Sequence, residues 1–486
     1  MIDPIRADAR AAEPVAHAGP ARRASTMIVS PARLVLAAVV VAIALGSCGS
    51  VVPGSSSAQP GAWATSSAGP SVGLAGGRFV IVGQIVTMDD PPVAEALFID
   101  DGLVAAVGSR TEVLAIAGDG VPVIDIGDNV AYPGFIDAHA HWIGDRDYYH
   151  MGTPAQAIEA AATRGWTSIS EQWVNPKRLD ELTGLAARDA LPLRVDAYLA
   201  LNFHDEFLGD WYTTRTPGPV GDHLRVQGLK IHLDHGLGGE MNWDRRQLIE
   251  TIGRADDAGW QVSVHAARTE AQGLLLDALE AALGQAGPNP LHHRVEHALQ
   301  VTDEQLARYD AMDIAVVTHL DGAADWLLED EFRPQFEQDL PEARLAWLAR
   351  WRDFVDAGLH VASATDAPWT FPGFDLMPQM GRPLDHIAAG IDGRTRTAQA
   401  PPWLLDQKLT AEQALRSVTL DAAWAIRDEA RRGHLAPGTL GDVTILSGDV
   451  TTATPDGMRA MKVVATIVGG VAAYCAEPAL CSRLGA

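Results

Sequence analysis

The segment Ala138-His139-Ala140-His141 places two imidazoles two residues apart. On an extended strand side chains alternate between faces, so this spacing turns both rings to one side. Two neutral imidazoles on one face can share a metal ion, although the pair alone is a weak signal. More reactive side chains follow at the ends of short apolar runs. Eight such runs end near His139, Glu171, Leu201, His232, His265, His297, His319 and Asp366. Taken singly, each has a plain alternative: His265 and His297 fit satisfied core histidines, and Asp366 before Ala-Pro fits a turn or a helix cap.

What must position these residues is a repeated strand-helix pattern. Helical periodicity in TPAQAIEAAATRG, WDRRQLIETIGRADDAG, EAQGLLLDALEAALG and TDEQLARYDAMD alternates with the apolar runs, which points to a parallel sheet. Eight units predict an α/β fold of the (β/α)8 TIM-barrel type, whose strand ends converge on one mouth. A doubly wound open sheet fits less well, because no glycine-rich phosphate loop follows the first strand. On either side of the barrel lie short β-patterned pieces: FVIVGQIVTM, EALFIDDGLVAAVG and VPVIDIGDNVAYPG before it, GTLGDVTILSGD and MKVVATIVGGVAAY after it. Both flanks are expected to build one small β-sandwich domain together. The boundaries are 77–131 for the first part of that domain, 132–431 for the barrel and 432–486 for the second part.

The 486 residues include 62 acidic and 37 basic side chains, a formal net charge of −25 that excludes a nucleic-acid or anionic-membrane surface. A small-molecule partner is the expectation. Residues 34–47, LVLAAVVVAIALGS, form an apolar run of 14 behind Arg22, Arg23 and Arg33. That is short for a span, which needs about 20, and reads as an export signal over residues 1–48. Met27 lies much closer to this run than Met1 does and is an alternative start of translation. Residues 49–76, rich in Ser, Gly, Pro and Ala, read as a flexible linker. Three cysteines are too few for a disulfide scaffold. In an oxidising compartment Cys475 and Cys481 can pair, or stand as two free thiols.

The run Leu45-Gly46-Ser47-Cys48 resembles the lipobox of bacterial lipoproteins. The resemblance implies lipidation at Cys48, a lipid anchor as the sole membrane contact, and a location at the extracytoplasmic face or beyond it. In the folded part, GFIDAHAHW after a β-domain resembles the first barrel strand of the metal-dependent amidohydrolase superfamily, and the likeness extends over nearly all of residues 79–447. QGLKIHLDHGLGG is similar to that superfamily's fourth-strand motif, VSVHA to the fifth, HHRVEHALQ to the sixth and SATDAPW to the eighth. The branch it most resembles is amidohydrolase-3, whose members cleave amide-type C–N bonds.

This resemblance implies a metal set of His139, His141, Lys230, His265, His297 and Asp366, holding two divalent ions, with zinc as the default for imidazole-rich hydrolytic sites. Lys230 stands where relatives carry a lysine that takes up carbon dioxide and bridges the metals as its carbamate, making a carboxylated lysine. A buried amine loses basicity, and only the neutral form can add carbon dioxide; on spacing alone Lys230 fits better a rim lysine paired with Asp234. His139 and His141 are assigned to one ion, His265 and His297 to the other. Asp366 is the catalytic residue that shuttles a proton from the metal-bound hydroxide's water to the leaving amine. The implied activity is hydrolysis of an N-acyl or cyclic amide; hydrolysis of a lactone, ester or phosphoester at the same binuclear site, or a non-catalytic ligand-binding surface lipoprotein, are the alternatives. His319, Arg294 and Trp142 are candidate substrate contacts, with Trp326 and Trp369 similarly placed. Asp137 is read as orienting a ligand or satisfying backbone, and Glu296 with Arg294 as catalytic support or a structural ion pair. Arg268 occupies the position, three after His265, where the superfamily's deaminases carry a glutamate, which disfavours nucleobase deamination. Asp234-His235-Gly236 replaces the usual Asp-Gly order, and only 89 positions separate His141 from Lys230, fewer than in many members of the branch.

Overall fold

In the computed structural model, residues 77–144, 153–203, 206–235, 240–284, 289–321, 345–367, 381–394 and 399–485 are described. The export signal, Cys48, the linker, Trp326 and Trp369 lie outside the described residues.

Eight parallel strands line up in sequence order: Phe135–Ala140, Trp166–Val174, Arg194–Ala200, Leu224–His232, Gln261–Ala266, Arg294–His297, Ala315–Thr318 and Val361–Ser363. Their residues are almost all buried on both faces, as expected where side chains fill the interior and helices cover the outside. The circle closes just beyond the eighth strand, where the Asp366 amide donates to the His139 carbonyl at 2.9 Å and the His141 amide donates to the Ala367 carbonyl at 2.7 Å. The architecture is therefore the (β/α)8 barrel.

The expected helices occupy Pro154–Thr163, Arg245–Asp257, Thr269–Leu283 and Asp303–Met312. Local chemistry starts them where the pattern placed them. Thr153 with Gln156, and Thr302 with Gln305, form reciprocal capping boxes, and Asp244 accepts from the Gln247 amide. Each helix lays an apolar stripe on the barrel; in Arg245–Asp257 it is Leu248, Thr251, Ile252 and Ala255.

Both flanks of the barrel do build one sheet of seven strands. Val123–Pro133 is its hinge, pairing in parallel with Phe79–Val86 on one side and antiparallel with Val443–Leu446 on the other. Phe79, Ile81, Leu97 and Ile99 from the first flank share a core with Val443, Ile445, Ala465 and Ile467 from the second. Gly134 separates this sheet from the first barrel strand. A Cβ there would stand 2.2 Å from Thr167 Oγ1 and 2.9 Å from the Asp442 Cβ, so only glycine lets the two domains approach this closely. At the sheet's outer edge, Cys475 and Cys481 are joined by a disulfide.

Candidate metal centre at the barrel mouth

His139 and His141 leave the end of the first strand on the same face, as their spacing requires. His139 Nε2 lies 3.2 Å from His141 Nε2 and 3.3 Å from Asp366 Oδ1, and His141 Nε2 lies 3.2 Å from the same oxygen. Ligand atoms at about 2.0–2.1 Å around one tetrahedral ion stand about 3.3 Å apart. The three atoms thus already have the separations of one face of a coordination tetrahedron. A second grouping shares His139 with His297 and His319, all ligand atoms within 4.8 Å of one another.

Chain alternation puts Arg294 and Glu296 on the inward side of the sixth strand and should send His297 outward. It does not, because His297 has φ 73° and the following Ala298 φ 44°, a left-handed pair that swings the imidazole back over the mouth. Asp366, with φ 51°, reaches the site by the same device after the eighth strand has ended. Non-glycine residues in this region cost energy and persist only where their surroundings hold them. Asp137 does the holding here: it accepts from the Thr365 amide at 2.9 Å, the Thr365 hydroxyl at 2.7 Å and Trp142 Nε1 at 3.0 Å.

The electrostatics favour neutral donors. Burial, the Lys230 charge and the neighbouring imidazoles hold His139 well below the usual histidine range, and burial with His265 does the same to His297. His319 is also lowered, chiefly by burial. Lys230, 1% exposed, has an Nζ with no hydrogen-bond partner among the described residues. Burial brings its ammonium down to about 8, against the opposing pull of Glu296 and Asp366. Asp366 goes the other way: burial raises it, but the hydrogen bond with His141 and the surrounding cations prevail and bring it to about 2. Neutral imidazoles, an ionised carboxylate and an unpartnered amine together fit divalent cations.

Around this centre stands a frame that orients it. Glu296 Oε2 lies 2.6 Å from His139 Nδ1, and accepting that proton leaves the Nε2 lone pair for a metal. Arg294 Nε lies 2.7 Å from Glu296 Oε1, the Ser263 hydroxyl donates to the same oxygen at 2.7 Å, and the guanidinium sits 4.4 Å above the Tyr198 ring. Arg294 therefore belongs to the barrel interior and is fully buried. Trp142 is buried against the Arg164 guanidinium and donates to Asp137.

Asp234 does not pair with Lys230. It lies 3.1 Å from His265 Nε2 and accepts from the Ala267 and Arg268 amides. His265 itself packs against His297, ring centroids 4.1 Å apart, on the fifth-strand side of the mouth. His319 stands at the seventh strand's end, its Nε2 2.7 Å from His297 Nδ1 and its Nδ1 2.8 Å from the Ala364 carbonyl, nearer to a ligand position than to a substrate wall. His232 and Trp173 went unassigned in the sequence. His232 follows Lys230 by two on the same strand face, a signal available from alternation; the Trp173 ring lies 4.6 Å from that of His141 because of a φ of 56°, which no pattern announces.

A (β/α)8 barrel with histidines and a carboxylate gathered at the carboxyl ends of its strands is the architecture of a metal-centred enzyme fold. Residues 145–474 match the Amidohydrolase family, and the chain belongs to that family. It is 25% identical to N-substituted formamide deformylase of Arthrobacter pascens over 53% of this chain and 43% of that protein, and 26% identical to imidazolonepropionase of Symbiobacterium thermophilum over 77% of this chain and 88% of that one. The chain spans under half the length of the deformylase and of two further curated relatives that it matches. Among solved structures, an uncharacterized metal-dependent hydrolase from Pyrococcus horikoshii superposes with a TM-score of 0.64 at 18% identity, covering 78% of this chain and 99% of that one. Molinate hydrolase superposes at 0.55 with 15% identity over 81% and 94%. At such identities the likeness concerns the fold.

Proposed function

We propose that this protein is a metal-dependent hydrolase of an amide-type C–N bond outside peptides, in an N-acyl or cyclic amide. The observation that carries the reading is the convergence of His139 Nε2, His141 Nε2 and Asp366 Oδ1 within 3.2–3.3 Å of one another beside the buried Lys230. His139, His141, His297 and Asp366 would hold divalent cations, zinc by preference, with His265 and His319 beside them. Bound there, such cations supply water activation at neutral pH and polarise a substrate carbonyl.

The chain's own groups do the rest. Glu296 keeps His139 in the tautomer whose Nε2 is free to ligate, and Arg294 and the Ser263 hydroxyl fix the position of Glu296 from the other side. Asp366, ionised and with its side chain 18% exposed, is the carboxylate that accepts a proton from the attacking water and returns it to the departing nitrogen. Without that return the amine would leave as an anion. Burial makes the neutral form of Lys230 accessible, which is the requirement for adding carbon dioxide: the amine nitrogen would form the C–N bond, lose one proton and become a carbamate, an anionic oxygen donor for divalent cations.

The relatives that act on formamides and on an imidazolone ring support the amide reading. The test is metal content of the full chain purified without chelator and with bicarbonate, followed by turnover of N-acyl amino acids, hydantoins, lactones and aryl esters. About two equivalents of metal and chelator-sensitive amide cleavage are expected. Cleavage of lactones or esters alone would overturn the bond assignment, and a metal-free chain with no turnover would overturn the enzyme. We also propose that the protein is exported and lipid-anchored through Cys48, a reading of the leader sequence. Incorporation of labelled palmitate that vanishes in Cys48→Ser is the expected outcome.

A further inference from the structure

Arg268 stands at the mouth between the end of the fifth strand, Gln261–Ala266, and the helix Thr269–Leu283. A guanidinium carries its N–H donors in a fixed fork and stays charged at any working pH. Among the described residues the Arg268 fork makes no hydrogen bond: the carboxylate that approaches it is Asp234, whose Oδ2 lies 3.9 Å from Nε, and Nε itself is buried. Nor does Asp234 need the guanidinium. Its fully buried carboxylate already accepts from the Ala267 and Arg268 amides at 3.2 Å and lies 3.1 Å from His265 Nε2. A structural ion pair with Asp234 therefore does not account for the side chain.

Gln300 repeats the pattern next to it. Its amide donates to the Ala267 carbonyl at 2.9 Å, which seats it beside Arg268, and its side chain, 1% exposed, has an Nε2 with no hydrogen-bond partner among the described residues. Buried donors without acceptors are costly, so two of them in one corner call for an acceptor that the chain does not supply. Solvent reaches this corner: the Arg268 side chain is 19% exposed and that of His265 16%, against 1% for His139 and 3% for His141. Only the Asp234 carboxylate separates the guanidinium from His265 beside the metal centre.

We propose that Arg268, seconded by Gln300, is the specificity-determining anchor for a carboxylate that the substrate carries near its scissile amide. The inference rests on the hydrolase reading and deepens it by naming a substrate class, amides bearing a carboxylate. A planar fork matches the two oxygens of that group. One guanidinium beside a neutral amide balances a single negative charge, which suits a carboxylate better than a dianionic phosphate.

Two pairs of probes differ only in that group: N-formylalanine against N-isopropylformamide, and hydantoin-5-acetic acid against 5-ethylhydantoin, a methyl replacing the carboxylate in the second of each. The quantities read on the full chain are the changes in kcat/KM, and in Kd by calorimetry, between wild type and variant, so intrinsic reactivity cancels within a probe. Arg268→Gln should cost the carboxylate probe roughly 10- to 100-fold, chiefly in KM and Kd, and its partner under about threefold, with metal content unchanged. Arg268→Lys keeps the charge and loses the fork, and should fall in between. Gln300→Leu should lose roughly 3- to 10-fold on the carboxylate probe alone. An arginine that merely holds Asp234 and His265 in place would act on every substrate alike, so equal losses on both members of a pair, or loss of metal in Arg268→Gln, would overturn the proposal. Wild-type inactivity on all four probes would instead count against the amide reading. The Kd of N-formylalanine then decides the anchor: weakening by about tenfold or more in Arg268→Gln supports it, and an unchanged Kd or no binding to wild type overturns it.

Discussion

Two buried clusters of charge stand at opposite ends of the barrel, and they are built on opposite rules. At the amino-terminal end, Asp196 is bracketed by Arg225 at 2.6 Å and Arg432 at 2.9 Å, Arg432 also pairs with Asp428, and Arg194 grips Asp442 through Nε at 2.7 Å and a second nitrogen at 2.9 Å. Burial works against the Asp196 carboxylate, yet the two arginines overcome it and bring the group to about 2, while Arg432 is raised in turn. Every charge there has its opposite within the chain. At the mouth, imidazoles crowd imidazoles, the Lys230 ammonium is driven toward neutrality, and the carboxylates are outnumbered by nitrogen donors. The floor is satisfied by its own residues and joins barrel to sheet; the mouth presents lone pairs that a cation would complete. Burial alone therefore does not mark a functional site, whereas burial with unmatched donors does.

Breaking each end should produce effects of different kind. The largest is expected at the mouth: Asp366→Asn should lower kcat by about 10²- to 10⁴-fold, with the urea midpoint little changed. Retained turnover in that variant would remove Asp366 from proton transfer. At the floor, Asp196→Ala leaves two buried guanidiniums uncompensated and should cost about 3–5 kcal/mol in urea unfolding, with kcat per folded molecule unaltered. A smaller effect on function separates frame from centre: Glu296→Gln should weaken metal binding about 10- to 100-fold, measured by chelator competition. The smallest is set by pH. Because the folded Asp196 titrates near 2 rather than the usual 3.8, its contribution is fully present above pH about 4 and is lost as pH falls through about 2. That loss amounts to about 2 kcal/mol, and it should be missing from acid-unfolding curves of Asp196→Ala.

Barrel strands and covering helices were legible because burial periodicity is local: a strand buried on both faces is a short apolar run, and Thr153, Asp244 and Thr302 mark helix starts by their own side chains. The His139 and His141 pair was legible for the same reason. Glu296 was half legible. Alternation placed it inward with Arg294, but whether it met solvent, a salt bridge alone or His139 Nδ1 depended on the first strand, 157 residues away in the chain.

The amino-acid sequence by itself determined the elements, their order, the faces their side chains take and the list of residues able to ligate, since all of these follow from spacing and residue type. Only the tertiary structure decided which of them meet. His297 and Asp366 turn into the mouth through left-handed backbone, at φ 73° and 51°, that non-glycine residues adopt uncommonly. What sustains those conformations is distant packing, with Asp137 bonded to Thr365 across 228 positions and the His139 carbonyl taking the Asp366 amide. Local propensity cannot encode a conformation that local energetics oppose; closure of the barrel can, because it brings the compensating partners together.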